Sequence, residues 1–113
     1  MKNINKDKKI KLQDKTFDQY MVDELHNLDE AKSFLEISIS EYEKDGDTKS
    51  FLHALRLVAE AQGGITNLAE KSHLNKQNLY KILTGKTTPR FDTTLAIMKG
   101  LGFKFAINDL YNH

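Results

Sequence analysis

Lys76, Gln77, Asn78, Tyr80 and Lys81 form one polar face of a short segment whose other face is Leu79, Ile82 and Leu83. Reading the major groove of a duplex needs a helix of this kind. Side chains in its first turns reach base edges, and Gln, Asn and Lys carry donors and acceptors matched to adenine and guanine. Asn75 stands in front of the segment as an N-cap, and the free N–H groups of a helix start favour a nearby phosphate. The surrounding stretch, residues 71–90, holds five basic residues and no acid.

Other chemistries lack their residues. There is no cysteine, which excludes disulfides, thiol catalysis and Cys-based zinc or iron–sulfur sites. His26, His53, His73 and His113 form no H-x-x-x-H pair, and neither a serine nucleophile elbow nor a P-loop occurs. Gly100-Leu101-Gly102 follows a helical pattern, not the strand a phosphate cradle needs. The acidic stretch at 41–47 lacks the ordered ligand spacing of a calcium loop. The expectation is a protein that is not an enzyme and needs no cofactor or metal.

The elements that must position the polar face come from a chain of 113 residues, the length of one domain. One proline and abundant Leu, Ala, Lys and Glu favour helices, and no apolar run is long enough for a membrane span. Residues 1–15 are expected to be a mobile lysine-rich arm without the apolar core of a secretory signal, and the expected compartment is the cytoplasm. Residues 16–113 read as one domain. Phe17, Tyr20, Met21 and Leu25 allow a helical turn or two without requiring them. Apolar spacing then predicts five helices, at about Asp29–Asp45, Thr48–Gln62, Ile65–Lys71, Lys76–Thr84 and Asp92–Gly100. Gly46 should close the first of these with a left-handed cap, and Asp47 should open the next. Ala69 is the small residue expected where the third and fourth cross closely. Phe103-Lys104-Phe105-Ala106-Ile107 alternates with period 2 and reads as a short strand. A lone strand needs a partner, and a second subunit is the simplest source.

The net charge of +1 conceals a segregated pattern. Residues 1–15 carry +4, residues 16–50 carry −7 with ten acids, and residues 51–113 carry +4. Such asymmetry fits one polyanionic partner and one basic partner.

The window L-A-E-K-S-x-L-N-K-Q-N-L-Y-K-I-L-T-G-K-x-x-P-R resembles the helix-turn-helix of Cro/repressor (Xre-type) proteins. With F-D-x-Y at Phe17–Tyr20, L-D-E-A at Leu28–Ala31 and F-L-x-A-L-R-x-V-A-E-A-x-G-G at Phe51–Gly64, the chain is similar to the HigA-like antitoxins of the probable addiction-module antidote family. The likeness covers about Phe17–Ile107. It implies an all-α, five-helix phage-repressor-like domain: an N-terminal extension (16–47), a helix-turn-helix core (48–102) and a dimer strand (103–107). It places Lys76, Gln77 and Lys81, with Tyr80 as a weaker member, at base edges. Asn75, Lys86, Thr87 and Arg90 fall at phosphates. Two positions depart from the pattern: His73 stands where glycine is usual, at a backbone of positive φ, and Gly64 or Thr66 must cap the helix that follows Gly63.

The family implies a double-stranded DNA operator, a homodimer and a small basic RelE-like ribonuclease toxin that this chain silences. Pairing of the strand would use Phe103, Phe105 and Ile107. Charge complementarity places the toxin on the acidic extension, at Phe17, Tyr20, Glu41 and Glu43, unless Phe17 and Tyr20 pack within the chain. A stand-alone repressor without a toxin, or a pure interaction module, are the other readings. The acid-free face argues against the module.

Overall fold

The computed structural model describes residues 16–110. These form six α-helices: α1 (Phe17–Glu24), α2 (Leu28–Asp45), α3 (Thr48–Ala61), α4 (Gly64–Ser72), α5 (Lys76–Leu83) and α6 (Phe91–Gly100). Five were expected. The additional one, α1, is nucleated by a capping box in which Thr16 Oγ1 accepts from Gln19 N–H and Gln19 Oε1 accepts from Thr16 N–H. Asn27, Asp47 and Asn75 cap α2, α3 and α5, each accepting from the backbone N–H three residues on. Gly46 ends α2 in the left-handed conformation. Hydrogen bonds from Ser50, first its hydroxyl and then its N–H, hold the Asp47 carboxyl below the usual carboxylate range. The cap is therefore intact at neutral pH and weakens as the pH falls through that lowered value.

α3 is the central element. Leu52, Leu55, Leu57, Val58 and Ala59 are all buried, and α3 packs against α1, α2, α4 and α5. Each fully buried leucine is worth about 1.5–3 kcal/mol against exposure, so this one face anchors the fold. α1 buries nothing within its own span, but Leu25 behind it is 1% exposed, and the Leu25 carbonyl accepts from Gln62 Nε2 at 2.9 Å. At its other end Asp18 Oδ1 lies 3.1 Å from His53 Nε2 on α3. The acidic helix α2 enters the core through Ala31 and Leu35, and its Tyr42 ring packs on Phe51 of α3.

Three expectations are corrected. Phe103–Ile107 forms no strand, and the described residues contain none. A strand needs a neighbour to pair its backbone, and one chain supplies none here. Phe103 turns instead onto the chain's own core after its N–H bonds to Met98 O at 2.9 Å. Second, α4 starts at Gly64 with Gly63 as its cap residue, at φ 113° and without a side-chain cap, so neither Gly64 nor Thr66 caps it. Asn67 Nδ2 instead donates to Gln62 O, and a Cβ on Gly63 would sit 2.7 Å from that nitrogen. Third, α6 begins at Phe91 rather than Asp92.

Gly100 lets α6 come close to α4. A Cβ there would lie 2.7 Å from Leu68 Cδ1 and 3.1 Å from Ser72 Cβ. Leu68 is itself buried and has no room to retreat. Gly100→Val should therefore destabilise the protein by about 1–3 kcal/mol, the usual range for overpacking. The urea midpoint measures this, and an unchanged midpoint would mean the two helices are less tightly opposed.

Candidate nucleic-acid interface

α5 is too short to persist alone, since isolated helices below about 12 residues are marginal in water. It is held by Leu79, Ile82 and Leu83, which point inward toward α3 and α4 and are 8% exposed or less. Their burial fixes which face looks out. Lys76, Gln77, Tyr80 and Lys81 are all exposed, and Tyr80, at 46%, is not a core ring. The helix is aimed by the turn before it. His73 adopts φ 58°, the left-handed conformation expected at this position, and Leu74 N–H bonds back to Ala69 O at 3.1 Å. Ala69 is buried at this crossing, as its size predicts.

The chain after α5 folds back over the helix end. Lys86 N–H donates to Lys81 O at 2.9 Å and Gly85 N–H donates to Ile82 O at 3.0 Å, the paired bonds of a Schellman turn. Gly85 takes φ 79°, which a Cβ would oppose. The consequence is functional geometry: Lys86 joins Lys76, Gln77, Tyr80 and Lys81 around one shallow concavity. Three ammonium groups border a single depression whose rim contains no carboxylate. In water that surface attracts polyanions and repels cations.

A second concavity lies on the other side of Lys81, between the start of α5 and the start of α6. Asn75, Thr87 and Arg90 border it, so the remaining sequence-chosen residues meet there. Asn75 spends its side-chain oxygen on the Asn78 N–H, 3.0 Å away, which leaves its amide nitrogen to face a ligand. Arg90 pairs with Asp92 at 3.3 Å. Both groups are highly exposed, so releasing the guanidinium costs about 1 kcal/mol or less. Asn78, Thr88 and Thr93 also line this depression and were not singled out from the sequence. Nothing local marks Thr93; only the packing of α6 brings it beside α5.

The other chosen residues are elsewhere. Phe17 and Tyr20 sit on α1 and are 71% and 48% exposed. Neither is swallowed by the chain's own core. Glu41 and Glu43 are exposed on α2, with Glu41 3.8 Å from Lys44, and Glu43 borders a groove facing the C-terminal segment. Phe103, Phe105 and Ile107 occupy three different environments: Phe103 on the core, Phe105 at 40% exposure and Ile107 fully exposed. Among the described residues, no group of three His, Cys, Asp or Glu could hold a metal, and no helix is long and apolar enough to cross a membrane.

Comparison with known proteins points the same way. A family model described as probable addiction module antidote protein matches residues 15–109. An uncharacterized protein of Haemophilus influenzae is 25% identical over 92 residues, covering 77% of this chain and 94% of its own. No solved structure matches the chain.

The charge geometry makes a quantitative prediction. Lys86→Ala should weaken binding to any duplex sequence alike and reduce the slope of log affinity against log salt by about 0.9. Fluorescence anisotropy with a random-sequence duplex measures it, and an unaltered slope would remove Lys86 from the phosphate contacts.

Proposed function

We propose, from the premise that this chain belongs to the family of probable addiction module antidote proteins, that it is a DNA-binding antitoxin. Membership supplies the antidote role and with it a toxin partner. The finer reading is ours. The chain binds an operator in its own promoter as a homodimer, represses its operon, and silences a small basic RelE/HigB-like ribonuclease in the cytoplasm. The observation that carries the DNA half is the convergence of Lys76, Gln77, Tyr80, Lys81 and Lys86 on one depression with no acid at its rim.

In this reading α4, the His73 turn and α5 act as a helix-turn-helix with α5 in the major groove. Lys76, Gln77 and Lys81 address base edges and Tyr80 lies beside them. Asn75, Lys86, Thr87 and Arg90 hold phosphates and set the register, which carries no sequence information by itself. Phe103, Phe105 and Ile107 pair with the same segment of a second copy. Two α5 helices would then enter successive major grooves, about 34–36 Å apart. A two-fold operator follows from that symmetry.

The toxin is assigned to the opposite pole. Phe17 and Tyr20 are large exposed aromatics, and the extension that carries them holds the ten acids of residues 16–50. Aromatic anchors would carry the affinity, while Glu41 and Glu43 steer a cationic partner. A stand-alone repressor would have no use for either feature, which favours the antitoxin.

Co-expression with the reading frame next to this one tests the toxin half. A small lysine- and arginine-rich product should copurify, and Phe17→Ala combined with Tyr20→Ala should lower its affinity at least tenfold without altering DNA binding. A neighbour that fails to copurify would leave a repressor alone. On the DNA side, Gln77→Ala or Lys81→Ala should cost about 1–3 kcal/mol at the preferred sequence and relax base preference. Competition with single-base operator variants measures this, and preference that survives both changes would move base reading off α5.

A further inference from the structure

The C-terminal segment leaves α6 and runs beside α2, and a groove opens between them. Its floor is apolar, with Leu35, Ile39 and Phe103, and Glu36 and Glu43 stand on the α2 wall. The groove also holds the chain's own Lys32 and Lys104, so its charges nearly balance. Residues Lys104–Asn108 form no helix or strand and, among the described residues, make no backbone hydrogen bond. Their N–H and C=O groups are open to a strand laid alongside. At the end of the same segment Ile107 is 100% exposed, an isoleucine with no contact surface of its own.

We propose that this groove is the seat of the C-terminal segment of a second copy of this chain. The inference rests on the homodimer reading above and adds the surface that receives the partner. An antiparallel pair centred on Phe105 sets Ile107 of each copy opposite Phe103 of the other. Since Phe103 lies on the core at the groove floor, the second copy's Ile107 comes to rest over Leu35 and Ile39. The same register sets Lys104 opposite Ala106, so the two lysines do not face each other. The second copy's Lys104 is then directed at Glu36 and Glu43. Groove and occupant thus supply what the other lacks: an apolar floor and two carboxylates for an unpartnered isoleucine, an open strand edge and a lysine. The acidic helix α2 becomes part of the dimer, and Glu43 moves from the toxin surface to the dimer surface, leaving Glu41 to steer the toxin.

Charge exchange between copies tests this on the full-length chain, using two variants shown by circular dichroism to be folded. One is E36K/E43K and the other is K104E. Each alone should dimerise about tenfold more weakly at low salt, because a groove and an occupant of like charge meet in both homodimers. Mixed together they should form a heterodimer within about threefold of the wild-type affinity, since both contacts are then restored. Native mass spectrometry of the mixture reads the three species directly. Intrachain effects cannot imitate this result, because mixing leaves each chain's own contacts unchanged. A mixture with no preference for the heterodimer would overturn the groove assignment. Phe105→Asp separates that failure from failure of the dimer reading. If Phe105→Asp is monomeric while the mixture shows no preference, the segment dimerises elsewhere and only the groove falls. If Phe105→Asp stays dimeric, the segment is not the interface and both fall.

Discussion

The candidate interface depends on the burial of Leu79, Ile82 and Leu83. α5 has eight residues and little intrinsic stability, so these three side chains decide that it exists, where it lies and which way it is rolled. Their partners come from α3 and α4, and α3 is in turn the helix on which α1 and α2 rest. The His73 turn converts that anchorage into direction, setting α5 at an angle to α4 so that its polar face projects from the molecule. The polar face can be entirely exposed because the apolar face is entirely committed.

Charge is distributed along the same lines. Around α5 and the loop after it the chain carries only lysine and arginine, until Asp92 begins the first turn of α6. Acids concentrate on α1 and α2, across the central helix from that surface. A protein asked to hold a polyanion at one pole and a cationic protein at the other gains from this separation. Each partner meets a complementary field, and neither has to displace the other. The C-terminal segment lies between these regions, in contact with α2 through its groove and joined directly to α6.

Much of the local structure was legible because its causes are local. Asn75, Asp47 and Gly46 cap where their side chains or flexibility dictate, and His73 takes the positive φ that its position demands. α1 was underread although Thr16 and Gln19 carry the capping-box spacing; apolar spacing over so few residues was ambiguous, while the cap was not. The period-2 pattern at Phe103–Ile107 misled for a different reason. Alternation states a preference for pairing, but a strand exists only where a partner supplies the other half of its hydrogen bonds. The positions chosen on α5 do lie together on the surface, because a single helix orders them. Asn78, Thr88 and Thr93 were invisible as a group, since they meet only through the packing of α6 beside α5.

The central claim is that the outward face of α5 reads DNA in the chain's own promoter. Quantitative footprinting of that promoter with wild-type protein and with a Lys76→Ala, Gln77→Ala, Lys81→Ala triple variant tests it most directly. The wild type should protect two symmetric half-sites with centres about 10–10.5 base pairs apart, or a multiple of that. The triple variant, folded by circular dichroism, should lose both together. Protection by the triple variant equal to that of the wild type would contradict the account.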